Sequence, residues 1–207
     1  MEVNVTFPCG SLSLEGILDI PPSTEPSPAV VVCHPHPLYG GNMQNNVVMA
    51  VAQGLAMLGW VTFRFNFRGV GKSEGYYNRG QGEQDDLRAA ITYLETSSKI
   101  NPQRIGLCGY SFGSTIVFPV AAADNRIQAV AGISPPVLSN ILSGYQRPKL
   151  LLLGKKDTLI DIKSLTSSFL SLPDPKKLEV IAEAGHFWSG REGLIKNIVS
   201  EFFGSFL

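Results

Sequence analysis

The sequence contains no apolar run approaching the roughly 18 residues that a membrane-spanning helix requires. Its first residues, MEVNVTFPCG, lack the basic segment and apolar stretch of a secretory signal. Neither a membrane span nor export is expected, and the cytoplasm is the expected compartment. An excess of one charge is also missing. With 17 basic residues balancing 17 acidic ones, nothing calls for nucleic acid or an anionic membrane as partner. Cysteine is scarce: Cys9, Cys33 and Cys108 form no metal-ligand spacing and leave one thiol unpaired in any disulfide scheme. Cys33 and Cys108 lie in apolar runs and read as inert buried thiols. There is no internal repeat, linker or low-complexity tract, which argues against a repeat array or tethered modules. What remains is a chain of 207 residues, 44% of them apolar, the size and composition of one globular domain over residues 1–207.

The organising pattern is an alternation of strands and helices. Residues 3–7 and 12–20 alternate apolar and polar, as a half-buried antiparallel hairpin at a sheet edge does. The proline-rich PPSTEPSP at 21–28 then reads as a solvent-facing connection. From Ala29 to Cys33 the pattern becomes a continuous β-branched run, the mark of a strand covered on both faces. Further strand-like segments at 60–67, 105–108, 127–133, 149–153 and 178–181 alternate with helix-like ones at 45–58, 82–96, 114–123, 161–172 and 191–207. This predicts an α/β fold, a doubly wound and mostly parallel eight-stranded sheet with helices on both faces. Pro119 is expected to kink its helix or end its first part. The stripe Leu194, Ile195, Ile198, Val199, Phe202 and Phe203 predicts core packing, since its helix has no Lys/Arg-rich face to lie on a membrane.

The strongest chemical signal is RIGLCGYSFGS, Arg104 to Ser114. A short buried strand runs through Gly109-Tyr110-Ser111-Phe112-Gly113 directly into an apolar helix. On so tight a turn, flanking residues without a Cβ are needed, and the serine hydroxyl is pushed clear of the sheet beside a helix N-terminus. The GxSxG pattern alone is weak, because composition yields about 0.2 chance matches in such a chain. Gly71-Lys72-Ser73-Glu74-Gly75 is indeed a second match, but it lies beyond its strand and leads into polar YYNRGQG, so context selects Ser111. In open α/β sheets ligands bind at the carboxyl ends of strands. Two later strand ends offer Asp157 in LLLGKKD and His186 in VIAEAGH. A serine hydroxyl needs an imidazole to take its proton, and the imidazole needs a carboxylate to hold its tautomer. Asp161 and Glu183 are rival carboxylates, although Asp161 also suits the cap of the helix it begins.

The order Ser, Asp, His, with HPHPLYGGNMQNNVV, FNFRGVGKSEG, GYSFGS and AGHFW, resembles the α/β hydrolase superfamily over nearly the whole chain. More narrowly it resembles the small, lidless bacterial serine hydrolases near the dienelactone hydrolases. The resemblance implies a carboxylic ester hydrolase that needs no cofactor, with Ser111 as nucleophile, His186 as base and Asp157 as its orienting carboxylate. Dienelactone hydrolases carry cysteine where this chain has Ser111, which shifts the expectation to a serine esterase. The resemblance also implies one oxyanion-hole N–H from Phe112 and another from the loop after the third strand. There Pro35 and Pro37 have no N–H, which leaves His36 first and Leu38 second. Larger members insert a lid between strands where this chain has only SPPVLSNILSGYQRP, so an open site for small ester or thioester substrates is expected. Leu38, Tyr39, Met43, Phe112, Phe187 and Trp188 are the expected pocket walls. The alternative is a catalytically silent α/β hydrolase-fold protein acting as a binding module or scaffold.

Two decoys belong to other classes. His34 and His36 with Asp157 and His186 could be read as a metal site, but a zinc hydrolase needs further ligands and supporting carboxylates that the sequence does not offer, so no metal is expected. Gly69-Val70-Gly71-Lys72-Ser73 suggests a nucleotide loop. A P-loop requires glycine where Asn66 stands, and a dinucleotide fingerprint requires glycine or alanine where Glu74 stands. The stretch fits better as the RGxGxS turn of many α/β hydrolases, with Asn66 where Asp is common.

Overall fold

In a computed structural model, which describes residues 1–23, 25–138 and 140–207, the eight strands are β1 (Glu2–Cys9), β2 (Leu12–Asp19), β3 (Ser27–Cys33), β4 (Val61–Phe65), β5 (Ile100–Tyr110), β6 (Ile127–Ile133), β7 (Lys149–Gly154) and β8 (Lys176–Ile181). They form one sheet of order β1-β2-β4-β3-β5-β6-β7-β8. The alternating segments pair antiparallel, β1 with β2 and β2 with β4. All other neighbours are parallel. Every residue of β3 and β4 is buried, as a strand covered on both faces demands.

The covering helices are α1 (Asn46–Ala56), α2 (Gln81–Glu95), α3 (Phe112–Ala123), α4 (Ile162–Leu170) and α5 (Glu192–Phe206). Leu87 and Ile91 of α2, Ile116 and Val120 of α3, and Leu165 and Phe169 of α4 join one core cluster. Val47 and Val51 of α1, with Ile195, Val199, Phe202 and Phe203 of α5, join the other. The sequence thus folds as a doubly wound, mostly parallel α/β sheet. From β3 the chain first adds β4 on one side, then crosses back to lay β5 on the other. The loops after β3 and β5 diverge at that reversal and leave a crevice at the carboxyl ends.

The structure differs from the sequence reading at three places. Ser27 and Pro28, read as connection, open β3; the sheet tolerates Pro28 because a register shift falls between Ser27 and Ala29. Strand β5 begins at Ile100, well before the expected Ile105. Pro119 does not end α3, which runs unbroken to Ala123. Its missing N–H leaves the carbonyl of Thr115 without an intrahelical donor, and both residues are half-buried, on the less buried side of the helix. Thr24 in the 21–28 connection and Ser139 in the 134–148 segment lie outside the described residues.

The 134–148 segment buries Leu138, Leu142 and Tyr145 in the cluster beneath α3 and so folds back against the body. All three cysteines are free and buried, and burial raises each thiol above its ordinary pKa, Cys9 to about 11. Among the described residues no helix is long and apolar enough to cross a membrane.

Helices α1 and α5 approach closely at Gly54, where an added Cβ would lie 2.7 Å from the Lys196 carbonyl oxygen and 2.9 Å from its Cα. Alanine is the better helix former by about 1 kcal/mol, but both obstructing atoms are backbone. Gly54→Ala is expected to destabilise the protein by about 1–3 kcal/mol, read as a lower urea midpoint with an unchanged slope.

Candidate active site

The turn from β5 into α3 places Ser111 at φ 52° and ψ −118°, a conformation that side chains rarely adopt. Such a residue stores about 1–3 kcal/mol and persists only when its surroundings over-determine it. Here the Ser111 N–H donates to the Ile133 carbonyl at 2.8 Å, and the Ser114 N–H donates to the Ser111 carbonyl at 2.9 Å. The Ser114 hydroxyl adds a bond to the Gly109 carbonyl at 2.7 Å. The two glycines of the motif are needed for close approach. A Cβ on Gly109 would lie 2.4 Å from the Gly113 carbonyl carbon, and one on Gly113 would lie 2.4 Å from the Cys33 carbonyl oxygen.

Beyond β7 and β8 the chain brings Asp157 and His186 to the same crevice. Ser111 Oγ lies 3.0 Å from His186 Nε2, and His186 Nδ1 lies 2.7 Å from Asp157 Oδ2. The other Asp157 oxygen accepts the Leu159 N–H at 2.9 Å. An ionised carboxylate only accepts, so Nδ1 carries the hydrogen and Nε2 is left to accept from the serine hydroxyl. An imidazole so held can take the serine proton. The rival carboxylates are occupied elsewhere. Asp161 caps α4 by accepting the Ser164 N–H at 3.1 Å, and Glu183 pairs with Lys156 at the surface.

Of the two backbone donors expected to flank the serine, Phe112 is the first residue of α3, a position whose N–H has no intrahelical acceptor. In the loop after β3 the donors can be counted. Leu38 N–H is bound to His36 Nδ1 at 3.2 Å, Tyr39 and Gly41 N–H both reach the His36 carbonyl at 3.1 Å, and Gly40 N–H reaches the Pro37 carbonyl at 3.3 Å. Pro35 and Pro37 have none. Among the described residues the N–H groups of His34, His36 and Asn42 have no acceptor, and of these three residues only His36 lines the cavity beside Ser111, whereas the Leu38 N–H is already engaged.

A cavity of about 330 Å³ opens beside Ser111 and His186, walled by Pro35, His36, Tyr39, Asn45, Leu159 and Phe187 among others. Of the expected walls, Tyr39 and Phe187 line it. Leu38 points to solvent, Met43 is buried below the loop, Phe112 packs inward on His36 and Phe67, and Trp188 is buried. Residues of 134–148 are absent from its lining among the described residues, so nothing there roofs it.

Several supporting residues carry no motif. Tyr110, under the serine, donates its hydroxyl to the His186 carbonyl at 2.8 Å, and burial raises the phenol pKa so that it stays a donor. Trp188 Nε1 donates to Ser134 Oγ at 3.1 Å, and Asn46 Nδ2 donates to the Phe187 carbonyl at 3.1 Å. Together they clamp the histidine turn from β5, β6 and α1. Ile105 to Tyr110 are all buried in β5, so periodicity could not single Tyr110 out. The glycine-rich decoy also has a part here. Asn66 accepts the Met43 N–H at 2.8 Å and donates to Glu15 at 2.7 Å, a pair of roles an aspartate could not fill.

With that geometry in place, comparison with known proteins defines the class. Residues 28–144 match the family described as alpha/beta hydrolase fold, and the chain belongs to that family. It is 34% identical over 178 residues to an uncharacterized protein of Rickettsia prowazekii, a stretch that is 80% of this chain and 74% of that one. A solved α/β serine hydrolase homologue from Coxiella burnetii superposes with TM-score 0.85 at 33% identity, covering 97% of this chain and 96% of that one. A Xanthomonas campestris protein described as an α/β serine hydrolase without lid superposes with TM-score 0.84 at 29% identity, covering 99% and 94%. Several further curated relatives are longer, and the chain spans less than two thirds of their length.

His34, the other histidine of the loop, is fully buried and structural in its contacts. Nδ1 lies 2.6 Å from the Pro35 carbonyl, and Nε2 accepts the Phe67 N–H at 3.1 Å, tying β3 to the end of β4. Burial lowers its pKa from 6.5 to about 4. Between these values the unfolded chain binds a proton that the native protein does not, so stability falls as pH drops through that window and this group adds no change below it. At about 1.4 kcal/mol per pH unit the loss is about 3 kcal/mol. The stability of His34→Gln is expected to depend less steeply on pH between 6.5 and 4 than that of the wild type, by that amount, in parallel urea titrations.

Proposed function

We propose that the protein is a serine hydrolase that cleaves small, uncharged carboxylic esters or thioesters through an acyl-enzyme on Ser111. One observation carries the reading: the unbroken path from Ser111 Oγ to His186 Nε2 at 3.0 Å and from His186 Nδ1 to Asp157 at 2.7 Å. In the proposed reaction Oγ attacks the substrate carbonyl while its proton passes to Nε2, and Asp157 orients and stabilises the imidazolium. The N–H groups of Phe112 and His36 hold the oxyanion. Collapse of the intermediate returns the proton to the leaving alcohol or thiol, and a water activated by the same imidazole releases the acid. Membership of the α/β hydrolase family and the likeness to a lidless serine hydrolase at 29% identity support the assignment. The named lining residues include no Lys, Arg, Asp or Glu, which favours neutral substrates over carboxylate-bearing ones. That lining also removes the support for a dienelactone-like, anionic substrate.

Labelling by a fluorophosphonate probe tests the nucleophile. The wild type is expected to label and Ser111→Ala to remain blank while folded, with Asp157→Asn slowed by about 10³- to 10⁴-fold. A folded wild type that fails to label overturns the reading and moves the scaffold alternative forward. The unroofed site gives a second expectation. Across p-nitrophenyl esters kcat/KM should peak at short acyl chains and fall at least about tenfold by sixteen carbons, since little of a long chain would be buried beyond the cavity. A rise with chain length would contradict the open-site reading.

A further inference from the structure

The side chain of His36 has a role that its backbone position does not explain. Its Nδ1 lies 3.2 Å from the Leu38 nitrogen. A backbone N–H can only donate, so Nδ1 is the unprotonated nitrogen and Nε2 carries the hydrogen. Tyr77 Oη lies 3.2 Å from Nε2 and can accept it, which holds that tautomer. The imidazole is packed among three rings, Tyr39 with centroids 4.7 Å away and Tyr77 and Phe112 at 4.9 Å each. Burial lowers its pKa, which favours the neutral ring that this contact requires.

The Nδ1 contact is a helix cap. His36 is the N-cap of the 3₁₀ turn Pro37–Tyr39, at φ −56° and ψ 123°, and its ring nitrogen does what an asparagine or serine oxygen usually does there. Because it precedes Pro37, its backbone is already restricted to the extended region. The cap then fixes the turn that follows. The same residue accepts two N–H groups through its carbonyl and leaves its own N–H free in a residue that lines the cavity. The imidazole also touches Phe112, which carries the other free donor.

We propose that the His36 imidazole is a positioning residue for the oxyanion hole: by capping its own loop through Nδ1, it sets the direction in which the His36 N–H points. This rests on the serine-hydrolase reading above. The donor is a backbone group that no substitution of residue 36 other than proline removes, so side-chain variants change only its placement. A misdirected oxyanion donor weakens the transition state more than the bound substrate.

The test compares His36→Leu, which keeps bulk and loses the acceptor, with His36→Asn, which loses the ring and keeps an acceptor for the Leu38 N–H. Both are checked for folding by circular dichroism and assayed on p-nitrophenyl acetate beside the wild type and Ser111→Ala. His36→Leu is expected to lower kcat about tenfold or more with KM within about threefold, and His36→Asn to recover kcat to within about threefold of the wild type. Inhibition by a phenylboronic acid, whose tetrahedral adduct presents an oxygen to the same donors, should weaken in His36→Leu and recover in His36→Asn. Equal loss in both variants would assign the effect to ring packing, and wild-type kcat in His36→Leu would remove it; either overturns the proposal while Ser111-dependent turnover stands. Turnover that survives in Ser111→Ala would overturn the serine-hydrolase reading itself, and the positioning role with it.

Discussion

The site depends on one close approach, the N-terminus of α3 against the carboxyl end of β3. Gly113 lies so near the Cys33 and His34 carbonyls that any Cβ there would overlap them, at 2.4 and 2.8 Å. That contact brings the start of α3, where Phe112 stands, against the loop that leaves β3 and carries His36, whose ring lies 4.9 Å from that of Phe112. It also fixes Ser111 in a positive-φ conformation, since the residues before and after it have nowhere else to go. The sheet topology makes this possible, because β3 and β5 are neighbours whose following connections diverge to opposite sides.

Polarity around the serine is settled by groups that have only one role. Asp157 can only accept, and both its oxygens do, from Leu159 N–H and from His186. Leu38 N–H can only donate, which sets the His36 tautomer. Glu183, close in sequence to His186, is drawn to Lys156 on the surface, so a single carboxylate governs the histidine. The cost of desolvation is offset because each polar group in this chain of contacts meets a partner within 3.2 Å.

The fold was legible because burial on both faces writes itself as uninterrupted apolar runs such as Ala29–Cys33, while the edge hairpin alternates. Ser111, Asp157 and His186 were legible as residues just past strand ends, and they meet in one crevice. What stayed hidden was whatever depends on direction. Met43, Phe112 and Trp188 have the right chemistry for pocket walls, yet the turns after β3, β5 and β8 aim them inward. Tyr110 and Ser134 act through single long-range hydrogen bonds that leave no periodic trace. Of the two expected effects of Pro119, ending the helix is the one the structure contradicts.

For the acyl transfer proposed above, an unroofed cavity changes what the protein must supply. Lidded enzymes gain by expelling water on closure and so strengthen every electrostatic contact within. Here Leu138, Leu142 and Tyr145 of the 134–148 segment pack beneath α3, and its described residues do not line the cavity. Stabilisation of a developing oxyanion must then come from donors already aimed before substrate arrives. The loop after β3 suits that role in the proposed reaction: two prolines restrict its backbone, its carbonyl at His36 gathers two N–H groups, and an imidazole closes the remaining turn. Such preorganisation costs discrimination, because a site that does not close around its substrate grips little of it beyond the reacting carbonyl. On the proposed reading, breadth among small neutral acyl compounds is the physical counterpart of the open loop.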